Sequence, residues 1–202
     1  MDGGYDEGYR ACPCFWGDKP GSLVAKLLGE QNFAKKLVLD LGCGEGKNAA
    51  AFARAGALVT AIDCSELAIS NGKLAFHNLN ISWHIGQALD FPLRDQPYDA
   101  VVMYGLTHCM PDRESIEFLI DRAIAATASG GLHILVAFND RSQDLTRAHP
   151  GFHPTLLPHK AYLEAYRSHR ILLATDTNLH ESHPHNDILH HHSLTRIIAK
   201  MR

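Results

Sequence analysis

Two groups of residues have the types and spacing to do chemistry. The first is Leu37-Val38-Leu39-Asp40-Leu41-Gly42-Cys43-Gly44-Glu45-Gly46, where an apolar run ends in a turn with glycine at alternate positions. Glycines permit unusual dihedrals and close backbone approach, so such a turn can wrap a small molecule at the carboxyl end of a strand. Asp63 ends a second apolar run, 17 residues beyond Gly46. An acid at that place in a βαβ arrangement can accept hydrogen bonds from both hydroxyls of a ribose. Dinucleotide sites use G-x-G-x-x-G, whereas these glycines fall as G-x-G-x-G, and Lys47 stands where close helix packing wants no side chain.

The second group is histidine-rich: six of the 14 histidines fall between residues 180 and 192. In a strand His190 and His192 share one face and His191 takes the other, with His183 and His185 able to join from the preceding loop. Three readings stay open. They are a divalent metal site built from His183, His185, His190 and His192, a general base such as His185 with supporting hydrogen bonds, or a polar rim without chemistry. Neutral imidazole suits zinc, nickel or iron, and such an ion could lower the pKa of an acceptor group or orient it. His108 follows another apolar run, and its ordinary pKa near ~6.5 suits proton removal around neutrality, so it is the first candidate base. Asn139, Arg141 and His183 are candidate contacts to an acceptor, on segments long enough to be binding loops.

The elements that must position these groups alternate between short apolar runs and helical stretches, the pattern of a parallel sheet with helices on its faces. Strands are expected at Lys36–Leu41, Leu58–Asp63, Ile81–Ile85, Asp99–Tyr104 and Leu132–Phe138. Helices are expected over Lys47–Ala55, after an N-cap at Ser65, and from Asp112 to Ala128, stopping at Ser129-Gly130-Gly131. Residues 1–19 read as an irregular lead-in and Asn139–Thr155 as a polar loop. After a helix near Pro158–Ser168, strands Arg170–Thr177 and His190–Lys200 follow one another without a crossover helix, which makes them antiparallel. The expectation is a single domain over 1–202, an α/β three-layer sandwich with a mainly parallel seven-stranded sheet whose last strand is reversed. Residues 1–30 form its lead-in and first helix, and 139–192 its substrate-side loops. Because ligands in open α/β sheets bind beyond the carboxyl ends of the strands, the histidine-rich connection should overhang the glycine turn.

Bulk properties narrow the classes. A charged share of 20%, a net charge of −3 and no lysine/arginine cluster disfavour nucleic acid as partner. No apolar run approaches the ~20 residues that span a bilayer. The start carries acids at Asp2 and Asp6 and no apolar core, unlike a secretory signal, so a soluble, cytoplasmic protein is expected. Five cysteines are an odd count in a chain of this size, which favours reduced thiols, and Cys12-Pro13-Cys14 lacks the second pair of a zinc finger.

D-L-G-C-G-E-G followed by V-T-A-I-D-C-S resembles the first two motifs of class I S-adenosylmethionine (SAM)-dependent methyltransferases, whose fold is Rossmann-like. Ala88-Leu89-Asp90-Phe91 and Tyr98-Asp99-Ala100-Val101-Val102 resemble two further motifs, so that the likeness spans roughly residues 15–200. The resemblance implies a methyl-transferring enzyme that binds SAM and releases S-adenosylhomocysteine. It implies that Asp40 orients the turn and the amino end of the donor, that Gly42 and Gly44 lie beneath the methionine part, that Asp63 binds the ribose, and that Cys43 and Cys64 are further contacts to the donor. Asp90 would reach the adenine amine, Phe91 would pack on the ring, and Tyr104 would face donor and acceptor. The Phe15-Trp16-Gly17 lead-in looks most like the tellurite-resistance and thiol methyltransferases, with Trp16 as a wall of the donor site. The acceptor would be the sulfur, oxygen, nitrogen or metalloid atom of a small molecule. The alternative is a non-catalytic metal- or ligand-binding protein that keeps this fold and uses residues 180–192.

Overall fold

The computed structural model describes residues 5–91, 96–145, 151–182 and 188–202. Its elements are α1 (Asp6–Ala11), α2 (Ser22–Glu30), β1 (Leu37–Leu41), α3 (Lys47–Arg54), β2 (Leu58–Asp63), α4 (Glu66–Ala75), β3 (Ile81–Ile85), β4 (Tyr98–Tyr104), α5 (Arg113–Ala125), β5 (Thr127–Gln143), α6 (His159–Ala165), β6 (Arg170–Glu181) and β7 (His190–Lys200). The seven strands form one sheet in the order β3-β2-β1-β4-β5-β7-β6. Strands β1 to β5 pair in parallel, and β7 runs antiparallel to both β5 and β6. This is the mixed, Rossmann-like arrangement expected.

Alternation along the strands decides which side chains meet which helices. In β1, Val38 turns to one face with Val24 and Leu27 of α2 and Phe52 of α3. Leu37, Leu39 and Leu41 turn to the other, with Ile116, Leu119 and Ile120 of α5 and Tyr162 of α6. Every residue of β1 is buried, as a central strand covered on both faces must be. Helix starts follow their chemistry: Ser65 caps α4 by accepting from the Ala68 amide, and Asp112 caps α5 by accepting from the Ser115 amide.

The lead-in is not wholly irregular, since Asp6–Ala11 is helical. Six residues give no readable apolar period. Asn71 Nδ2 donates to the Tyr9 carbonyl and Ser65 Oγ to Asp6, so tertiary bonds hold this helix in place. Helix α5 ends at Ala125, three residues earlier than expected, because Thr127 joins β5 and pairs with Tyr98. At its far end β5 continues through Asn139 to Gln143, which pairs with His192, so the start of the expected polar loop belongs to the sheet. Strand β6 runs on to Glu181, opposite His190. That extension brings the end of the hairpin up to the carboxyl ends of β1, β2 and β4.

Candidate active site

Beyond those strand ends lies a cavity of about 610 Å³, within the ~300–1,000 Å³ of small-molecule sites. Its floor is the turn between β1 and α3. Gly42 and Gly44 hold φ of +64° and +54°, and a Cβ on Gly42 would stand 2.6 Å from Leu106 Cδ1. The turn therefore needs glycine for both its dihedrals and its contacts. Asp63, at the end of β2, closes one side: its Oδ2 accepts from the Gly44 amide at 2.8 Å and its Oδ1 from the Ser65 amide at 2.9 Å. Burial raises the pKa of Asp63, and those two amides oppose the rise. Asp40 lies beneath the turn, 1% exposed and off the cavity wall. No hydrogen bond of good geometry reaches either of its oxygens. Burial pushes its carboxyl up to about 7, with the Ala49 backbone amide opposing the rise and the Asp63 charge adding to it.

The lead-in forms the roof, and the residues that hold it were not singled out in the sequence. Glu45 is the main latch. Its Oε2 accepts from the Phe15 amide at 2.6 Å, and its Oε1 accepts from the Cys14 amide at 3.0 Å and Asn71 Nδ2 at 2.9 Å. Lys47 Nζ donates to the Trp16 carbonyl at 2.9 Å, and Asn48 Oδ1 accepts from the Gly21 amide at 2.8 Å. Trp16 lines the cavity, stacked edge-on against Phe15 with ring centroids 4.7 Å apart. The only sequence signal for this latch was a glutamate inside a glycine turn, where a small side chain would serve as well.

Of the residues expected to hold a donor, Trp16, Gly42, Cys43, Gly44, Asp63, Cys64, Asp90 and Tyr104 line this cavity. Phe91 does not: it borders a neighbouring groove with His84, while Ala88 and Leu89 take the wall beside Asp90. The cysteines of the described chain are free thiols, and burial pushes Cys43 and Cys109 upward, Cys109 to about 12, so neither is a thiolate near neutrality.

His108 lines the cavity, 2% exposed, in a 3₁₀ turn after β4. Its Nδ1 accepts from the Phe138 amide at 3.1 Å, which leaves the proton of the neutral ring on Nε2. His108 therefore carries an N–H donor rather than a free lone pair, which counts against its use as the base. Phe138 is sandwiched between two imidazoles, with centroids 4.1 Å from both His108 and His192. Asn139 and Arg141 are not on the cavity wall. Asn139 Nδ2 donates to Asp176, its Oδ1 accepts from Ser193 Oγ, and Arg141 bridges to Asp176 and Asn178, so both are spent tying β5 to its neighbours. His183 and His185 lie outside the described residues. His190 and His192 are buried behind Phe138 and close to Glu181, which does line the cavity.

Residues 38–131 match the family described as "Methyltransferase domain". That match spans 94 of the 202 residues, from β1 into β5. The chain is 32% identical over 106 residues to the ubiquinone biosynthesis O-methyltransferase of Hydrogenovibrio crunogenus, a match that covers 50% of this chain and 42% of that protein. Matches to curated relatives thus span about half the length of each. In fold it resembles TehB from Haemophilus influenzae, with a TM-score of 0.73 at 23% identity over 90% of this chain and 62% of that one. It also resembles the SAM-bound magnesium protoporphyrin IX methyltransferase of Synechocystis, with a TM-score of 0.66 at 18% identity over 90% of this chain and 77% of that one. Among the described residues, no helix is long and apolar enough to cross a membrane.

Proposed function

We propose that this protein transfers a methyl group from SAM to a heteroatom of a small molecule seated in the same cavity. One observation carries the reading beyond the fold. The described cavity wall holds four acids, Glu45, Asp63, Asp90 and Glu181, against a single lysine, Lys47. A cavity of that sign favours a cationic ligand such as a sulfonium and repels the pyrophosphate of a dinucleotide. The residues fit the donor in other respects. The glycine turn offers backbone with no side chain in the way, and the Asp63 carboxylate, with one backbone amide on each oxygen, presents an acceptor group suited to a diol.

Bound SAM would supply an electrophilic methyl on a positively charged sulfur. The chain supplies position and shelter. Asp63, held by two backbone amides, would fix the ribose, and Asp90 with Ala88 and Leu89 would border the adenine. The roof of Trp16 and Tyr9, latched by Glu45, would exclude water, which together with alignment is most of what such a displacement requires. His108 holds a proton at Nε2 and would donate to the acceptor or its neighbours, as an orienting group.

Calorimetry with SAM and S-adenosylhomocysteine tests the donor half: micromolar binding is expected, lost at least tenfold in Asp63→Ala. Labelled SAM incubated with pools of thiols, phenols, amines and metalloid oxyanions tests the acceptor half. Absence of binding by both nucleosides to folded protein would end the reading.

A further inference from the structure

The β6–β7 hairpin gathers a set of side chains that methyl transfer as described does not use. Glu181 pairs directly with His190, so their side chains leave the same face of the sheet, and His192, two residues on, returns to that face. One donor atom from each of Glu181, His190 and His192 lies within 4.8 Å of the other two. It is the only such trio of metal-ligating residues among the described part of the chain. His190 and His192 are 3% and 0% exposed, and Glu181 is half-buried on the cavity wall.

Both rings are oriented from behind. His190 Nδ1 lies 2.7 Å from the Ile188 carbonyl, which can only accept, so Nδ1 carries the proton. His192 Nδ1 lies 2.9 Å from Gln143 Oε1. The Gln143 amide cannot be turned round, because its nitrogen already donates to the Asn139 and Ser193 carbonyls at 2.7 and 2.9 Å. In both neutral rings the lone pair is therefore on Nε2, and His192 Nε2 is 3.9 Å from Glu181 Oε1. An Nδ1–H bonded to a carbonyl, with Nε2 left as the ligand atom, is the support that metal-binding histidines use.

We infer that Glu181, His190 and His192 form a binding site for a divalent first-row transition ion at the edge of the cavity, whose wall Glu181 reaches while the two histidines lie behind Phe138. Two imidazoles and one carboxylate suit zinc, iron, cobalt or nickel, whereas magnesium and calcium take oxygen ligands. Bonds of about 2.0–2.2 Å place donors roughly 3–3.5 Å apart, so binding draws the trio together by up to about 1–2 Å. Three protein ligands leave a position for an outside ligand. That this position serves the methyl acceptor rests on the proposed methyl transfer; the ion site itself does not.

The untagged 202-residue chain, stripped with chelator, should be titrated with Co²⁺ under visible absorption and with Zn²⁺ by calorimetry. One ion per chain at micromolar Kd or tighter is expected. Glu181→Gln and His192→Gln should each weaken binding at least tenfold, and His191→Gln, on the opposite face, should leave it unchanged. Glu181→Gln is nearly isosteric and half-exposed, so it keeps the test open should the buried variant misfold. Failure to bind one ion, or binding that survives both substitutions, would overturn the site. SAM calorimetry on the same samples separates the two proposals: stoichiometric metal with no donor binding leaves this site standing and removes methyl transfer.

Discussion

Proton release on donor binding is the sharpest consequence of Asp40. Its carboxyl, buried under the glycine turn and pushed up to about 7, is mostly protonated at pH 6 and mostly ionised at pH 8. A cationic donor above the turn favours the ionised form. If only that form binds, Kd is weakened about 11-fold at pH 6 and about 1.1-fold at pH 8, so affinity for SAM rises about tenfold over the interval, or about 1.4 kcal/mol. At pH 6.5 about 0.8 proton should leave per donor bound, which calorimetry in two buffers of different ionisation heat measures directly. S-adenosylhomocysteine, without the sulfonium charge, should show a shallower slope. Asp63 and Glu181 also have raised values, so the comparison that isolates Asp40 is with Asp40→Asn, which should bind more weakly at pH 8 and lose most of the slope. A wild-type Kd that changes less than twofold between pH 6 and 8, or an Asp40→Asn slope equal to the wild type, refutes the reasoning.

Stability should answer to the same carboxyl with a defined sign. Between pH ~4 and ~7 the folded chain holds a proton on Asp40 that the unfolded chain has lost, so this group costs stability as pH rises. Asp40→Asn should accordingly stabilise the ligand-free protein at pH 8, by up to about 4 kcal/mol in chemical denaturation. His133 acts the other way. Burial drives its pKa down to about 3 within a network to Thr127 and Tyr166, so acid below pH ~6.5 protonates the unfolded chain first and lowers stability. The two offset each other in the wild type, and Asp40→Asn should reveal the steeper acid loss. Glu45→Gln should loosen the roof, at about 1–3 kcal/mol for the charged acceptor bonds, seen as faster proteolysis within residues 5–17. His108→Asn should leave the shape of the pH–rate profile intact, because Nε2 already carries the proton; loss of a limb near pH ~6.5 would restore His108 as base.

The donor half of the cavity was legible because its chemistry is local. Asp40, the glycines and Asp63 sit within 24 residues, and a βαβ unit dictates where its first turn and second strand end. The reversed last strand was legible too, since two strands joined without a helix have little choice of direction. What escaped depends on contacts remote in sequence. Helix α1 is held by Ser65 and Asn71, 59 and 62 positions from their partners Asp6 and Tyr9, and no periodicity within Asp6–Ala11 announces them. Asn139 and Arg141 looked available because polar residues after a strand usually face solvent; the strand instead runs on, and Asp176 and Asn178 across the sheet take their donors.

The histidine cluster shows most plainly how register decides chemistry. Alternation alone placed His190 and His192 on one face, but it offered no reason to add Glu181, which a β6 ending at Thr177 leaves in a loop. Extending the hairpin by four residues puts Glu181 opposite His190. A slip of one residue would send the carboxylate to the face of His191 and leave two buried imidazoles facing apolar Phe138 and Leu194. The pairing that closes the sheet is therefore also the event that assembles the proposed ligand set, and its register is held from behind by Gln143, whose amide bonds to both His192 and Ser193. Gln143→Leu, which removes those bonds while keeping similar bulk, should weaken Co²⁺ binding about 10–100-fold with the fold retained, the range seen when the outer partners of metal-binding histidines are removed.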